Sequence, residues 1–158
     1  DPEYFGGFNN RFTLGKFEMD VLFQFSKQLG RNYWSTGGTI PGGLSNQPTE
    51  VLQRWSAQGD QRYIQRFTTG QSFDENQAFQ QFTQSDTSIS DASFLRLKTL
   101  SMTYALMQKD THGYDCQLYL QGQNLLTFTH YLGLDPETRN SATVPPLRII
   151  SLGTRLTF

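Results

Sequence analysis

Trp34, Trp55, Tyr63, Phe67 and Phe73 are the side chains best suited to recognition in this sequence. All five sit in one irregular stretch, where flat apolar rings can stack on a sugar or on a peptide side chain. The same rings can instead pack the stretch against itself, because a large loop needs a small core of its own. Packing is the commoner outcome; Trp34, Trp55 and Tyr63 stand as the candidates for ligand contact. The titratable residues form no comparable pattern. His112 and His130 are separated by a strand-like segment and sit toward its opposite ends, so no shared metal site is expected. Asp74, Glu75, Asp86 and Asp91 lack the Asp-x-Asp-x-Asp-Gly spacing of a calcium loop and read as solvated acidic positions. No Ser, Cys or carboxylate stands in a recognisable nucleophile or glycosidase motif. The sequence therefore predicts no enzyme, no metal and no cofactor.

The elements that must position these residues are strands. Phe17, Met19, Val21, Phe23 and Phe25 alternate with Glu18, Asp20, Gln24 and Ser26, with only Leu22 breaking the polar set. Period-two alternation places one set on each face of a strand, whereas a helix would put carboxylates on its apolar stripe. A preceding strand carries Phe8, Asn10, Phe12 and Leu14 on one parity and joins through a tight turn at Gly15 and Lys16. Further strands are predicted over Ser93 to Leu106, about Tyr114 to Leu125, and about Leu147 to Phe158, with a turn around Gln108 to Gly113. In the last of these, Ile150, Leu152, Leu156 and Phe158 oppose Ser151, Gly153, Arg155 and Thr157. Two long connections, about 30–88 and 129–146, interrupt the strands, and a short helix is expected near Thr49 to Gln58. Both connections fall on one side and the tight turns on the other.

Composition narrows the class. Only 36% of residues are hydrophobic, yet 13 Phe, 7 Tyr and 2 Trp make the chain aromatic-rich and aliphatic-poor. That balance suits strands with one apolar and one polar face better than a dense two-layer core. A formal charge of −1 with scattered Lys and Arg excludes an electrostatic footprint for nucleic acid. The single Cys116 cannot form an internal disulfide and is read as filling space. No run of roughly 18 apolar residues is present, which excludes a spanning helix and leaves a barrel open, since each barrel strand needs only about ten alternating residues. The chain begins at Asp1 with no visible leader and is read as a fragment. The expected fold is all-β: about five antiparallel strands, part of a transmembrane β-barrel, and the resemblance described below implies its C-terminal part. Tyr104, Tyr114 and Phe17 on one side, and Phe128 and Tyr131 on the other, would form its interfacial aromatic girdles.

Three blocks carry a resemblance. Asp91 to Tyr104 reads DASFLRLKTLSMTY, Leu118 to Glu137 reads LYLQGQNLLTFTHYLGLDPE, and Pro145 to Phe158 reads PPLRIISLGTRLTF. In this order and spacing they resemble the closing part of SusC/RagA-type TonB-dependent transporters; YFGGFNN at Tyr4 to Asn10 and the Trp55 segment are also similar. The resemblance implies a barrel of roughly 22 strands around an N-terminal plug, of which this chain supplies about the last five. It implies a multi-pass protein of the bacterial outer membrane that imports oligosaccharides or peptides. Its partners would be outer-membrane lipid, the remainder of the barrel, a SusD-like surface lipoprotein closing as a lid over the loops, and the TonB complex acting through an N-terminal part absent here. The aromatics Trp34, Trp55 and Tyr63 then become candidates for solute or lid contact, while Tyr119, Gln121 and Gln123 would line the lumen and meet solute or, more commonly, plug.

The last strand also resembles the C-terminal assembly signal of outer-membrane barrels, through Ser151, Gly153, Leu156 and Phe158. Five strands alone leave two open edges, whose unpaired backbone groups would each cost several kcal/mol in lipid. The competing reading is a soluble or secreted β-sandwich module that binds carbohydrate through its loop aromatics. In a sandwich the face bearing Phe17, Met19, Val21, Phe23 and Phe25 would be buried against a second sheet of the same chain.

Overall fold

The computed structural model describes residues 1–107 and 113–158. The turn expected from Gln108, up to and including His112, lies outside the described residues. The strands are β1 (Tyr4–Leu14), β2 (Phe17–Lys27), β3 (Leu29–Arg31), β4 (Ile89–Asp91), β5 (Phe94–Met107), β6 (Asp115–Thr129) and β7 (Ile149–Thr157). Two helices, α1 (Tyr33–Thr36) and α2 (Phe73–Gln84), and 3-10 turns at Thr49–Gln53 and Asp86–Ser88 complete the elements of the described residues. Residues 1–29, 92–130 and 145–158 form one compact unit; residues 30–91 and 131–144 form another.

The first unit is a five-stranded antiparallel sheet in the order β1-β2-β5-β6-β7. Its hairpin β1–β2 closes on Gly15, whose φ of +58° is a conformation glycine adopts without a Cβ clash. Register sorts the side chains cleanly. Met19 lies opposite Phe12 and Met102, Met102 opposite Leu120, and Leu120 opposite Leu152. One step along, Asp20 lies opposite Arg11 and Ser101, Ser101 opposite Gln121, and Gln121 opposite Ser151. One face is thus mainly apolar, interrupted at Asn10 and Thr154, and the other mainly polar, interrupted at Leu22 and Ile149.

The sequence hides one feature of this sorting. On β5 the apolar residues change parity, from Leu95 and Leu97 to Leu100, Met102 and Tyr104. Register shifts between Leu22 and Phe23 on β2, and between Leu97 and Thr99 on β5, absorb the change at Lys98. A bulge of this kind keeps Leu97 and Leu100 on the same face despite their odd separation. The apolar face is open in this chain: Phe8 is 60% exposed, Phe12 52% and Leu152 71%. A sandwich would have buried it beneath a second sheet, but among the described residues the second sheet is only the short β3–β4 pair.

The second unit has its own core of Trp34, Val51 and Ile64, with Tyr33, Phe79, Phe82 and Leu132 packed around it. Asn32 accepts from the Trp34 backbone N–H (3.1 Å) and donates to the Thr87 carbonyl (2.9 Å), which starts α1 and satisfies a buried amide. The helix expected near Thr49 to Gln58 is reduced to the 3-10 turn at Thr49–Gln53. It stops because Arg54 is extended and the Trp55 N–H is taken by the Ile64 carbonyl at 2.8 Å. The longer helix, α2, arises instead at Phe73–Gln84, where Ser72 caps the N-terminus, Asp74 and Glu75 occupy the first turn, and Phe79 and Phe82 share a face at i, i+3.

Candidate functional site

On the polar face of the sheet, Tyr119, Gln121 and Gln123 lie opposite Thr103, Ser101 and Thr99 on β5 and opposite Gly153, Ser151 and Ile149 on β7. Between β5 and β7 this wall is largely hydroxyl and amide, with Arg155 opposite Gln117, Arg96 opposite Thr127, and Ile149 as an apolar member. Across β1 and β2 it is charged, with Arg11 and Asp20 paired at 3.0 Å and Glu18 beside them. The polar wall therefore offers both donors and acceptors, with arginines as well as hydroxyls and amides along the β5 to β7 half.

The terminal strand splits the four residues expected to form an assembly signal between faces: Ser151 on the polar side, Gly153 with it, and Leu156 opposite Cys116 on the apolar side. Phe158 lies just beyond β7, 86% exposed, its ring 6.4 Å from that of Tyr114. Gly153 and Tyr119 belong together. The Tyr119 ring covers the glycine so closely that a Cβ there would lie 2.5 Å from the phenol oxygen and 2.6 Å from Cζ. An aromatic laid over a cross-strand glycine fills the gap left by the missing side chain.

In the second unit the sequence-named aromatics separate. Trp34 is 2% exposed and sits in the core, in edge contact with Tyr33, Phe79 and Phe82, while a Cβ on Gly38 would strike its backbone at 2.7 Å. Its position is a packing one. Trp55 and Tyr63 both line a groove of about 600 Å³ between α2 and residues 62–66. Phe67 lies outside that lining, under the Arg54 guanidinium at 3.6 Å, and Phe73 is 78% exposed on α2. The groove's other apolar residues are Pro41, Ile64, Ala78, Phe79 and Phe82; the two phenylalanines carried a legible signal in their i, i+3 spacing, but the glutamines around them masked the helix.

Charges border the groove. Glu75 accepts from Arg66 Nε (3.0 Å) and from the Thr68 hydroxyl, and these bonds, that from Thr68 foremost, hold its carboxyl below the usual range. Asp60 is lowered by backbone N–H groups of Ser56 (2.9 Å) and Ala57 (3.0 Å), which makes it a turn-closing carboxylate. Asp135, in the Gly-x-Asp-Pro-Glu block, is likewise structural: 4% exposed, it accepts from the N–H groups of Glu137 (2.9 Å) and Thr138 (3.1 Å). Tyr131, expected in a membrane girdle, belongs to this unit. It is 8% exposed, donates to the Arg31 carbonyl at 2.5 Å, and burial raises its phenol pKa. A membrane tyrosine would keep its hydroxyl at a wet interface. The apolar face of the sheet carries Tyr4, Phe25 and Phe128 at that end instead, and Phe17 paired with Tyr104 at the other. His112 lies outside the described residues, and His130 follows β6. Among the described residues no three His, Cys, Asp or Glu side chains are gathered for a metal.

A sheet with one open apolar face, one polar face and aromatic ends is a section of a transmembrane β-barrel, in which alternate residues meet lipid and lumen. No model of a known protein family matches the sequence. TonB-dependent receptor P3 of Formosa agariphila is 31% identical over 139 residues, 86% of this chain and 13% of that protein. The solved structure of the RagAB peptide importer in its open-open state covers 100% of the chain with a TM-score of 0.66 at 24% identity, and the closed-closed state gives 0.71 at 24%. In sequence the chain is similar to part of a TonB-dependent receptor, and in fold it matches the corresponding section of the RagAB barrel. It spans only 13% of the Formosa relative and 17% of each matched RagAB chain.

Proposed function

We propose that the chain is the C-terminal segment of a TonB-dependent transporter that crosses the bacterial outer membrane many times and imports oligosaccharides or peptides. The connections at about 30–88 and 129–146 are its long extracellular loops. A SusD-like surface lipoprotein closes over them as a lid, and the TonB complex acts through an N-terminal part that lies outside this chain. Tyr119, Gln121 and Gln123 line the lumen against plug or solute, Trp55 and Tyr63 face solute or lid while Trp34 packs beneath Phe79 and Phe82, and Ser151, Gly153, Leu156 and Phe158 are the assembly signal. The role is transport, without a catalytic step.

The observation that carries this reading is the two-faced sheet, whose apolar side is open from Phe12 to Leu152. Its outer strands β1 and β7 each keep an unpaired edge within the sheet, which further strands of a barrel would pair. Relatives named as peptide importers make peptides the first solutes to try. Fractionation tests the proposal: the full-length protein should require detergent for release from the outer membrane, and solute uptake should stop when the proton-motive force is collapsed. Recovery in the soluble or secreted fraction without detergent would overturn it in favour of a carbohydrate-binding module.

A further inference from the structure

We propose that the groove between α2 and residues 62–66 is a subsite for one apolar side chain of a short peptide, an assignment that rests on the transport role above. At about 600 Å³ the groove is within the range of small-ligand sites and large enough for one bulky side chain with its flanking backbone. Ile64, Phe79 and Phe82 line its apolar part. Tyr63 stacks on Phe82, with centroids 6.4 Å apart and planes 25° apart, yet stays 57% exposed. So apolar a lining would strip water from sugar hydroxyls without replacing their hydrogen bonds, whereas it rewards a phenyl or leucyl side chain.

Charge selects the same class of ligand. Arg62 and Asp74 carry opposite charges on opposite walls, one on the 62–66 segment and one on α2, while Glu75 is already engaged by Thr68 and Arg66. A short peptide presents a carboxylate and an ammonium that match this pair; a neutral sugar presents neither. Gln65 lines the same wall, and its amide nitrogen is buried without a hydrogen-bond partner. A peptide carbonyl is the acceptor such an amide lacks, reached by a rotation of the side chain.

The full-length transporter containing this chain, purified in detergent, is titrated calorimetrically with Ala-Phe-Ala, Ala-Ala-Ala and maltotriose. Ala-Phe-Ala should bind at least roughly tenfold more tightly than Ala-Ala-Ala, the scale of one buried aromatic side chain. Ala78→Trp, which places an indole at the groove from an exposed position on α2, should erase that difference. Tyr63→Ala should weaken Ala-Phe-Ala by the same order, and Phe73→Ala, outside the lining, should leave it intact. Equal affinity for both peptides, no binding of either, a preference for maltotriose, or a difference that survives Ala78→Trp overturns the subsite. A protein that shows the peptide preference yet fractionates as soluble overturns the transport role and keeps the subsite.

Discussion

The closest packing decision in the sheet is made by two residues, Tyr119 and Gly153. A side chain at position 153 must displace the phenol ring, because its Cβ would fall 2.5 Å from the Tyr119 oxygen. Gly153→Val should therefore destabilise the folded barrel by roughly 1–3 kcal/mol, the usual cost of overpacking. Heat-modifiable mobility in electrophoresis checks it, and Tyr119→Ser in the same protein should restore part of the folded band. Neither residue's partner was visible in the sequence, where each stood in a separate strand as a lumen candidate and an assembly-signal candidate. Glu75 offers a different test. Its folded pKa lies below the ordinary carboxylate value, so its hydrogen bonds stabilise the loop unit at pH above that value, and the contribution is lost as pH falls through the folded pKa. Proteolysis near residues 66–75 should rise on acidification, and Glu75→Gln should show the higher rate already at neutral pH.

Elements differed in how openly the sequence declared them. The alternation from Phe17 to Phe25 was legible because every second residue on β2 meets the same environment, and no other element was needed to read it. The bulge at Lys98 was not, because it is defined by register against β2 and β6 rather than by residue type. α2 was obscured by glutamines, which neither mark an apolar stripe nor break one; only Phe79 and Phe82 face inward. The groove depends on that helix meeting residues 62–66 and so could not be assembled from spacing alone. For β7, replacing Phe158 with Asp should lower outer-membrane assembly severalfold while leaving solute affinity of the assembled fraction unchanged, since the ring is exposed beyond the strand. Normal surface levels in that variant would count against an assembly role.

At the scale of the whole molecule, the separation of faces sets what each substitution can do. Phe23→Arg puts a charge on the apolar field between Phe8 and Leu97 and should cost roughly 2–4 kcal/mol in a bilayer if the position lies near the midplane. Gln121→Arg, on the polar wall, should leave stability near that of the parent and alter solute selectivity instead. Urea unfolding in lipid vesicles, run on both variants, separates the two; similar losses would argue that both faces are buried in protein. The loop unit adds a final consequence. Trp34, Val51 and Ile64 give residues 30–91 and 131–144 a core independent of the sheet. Their internal order therefore exists before any solute arrives, and capture requires little further loss of loop entropy, so affinity at this unit should come from preorganisation more than from folding around the guest.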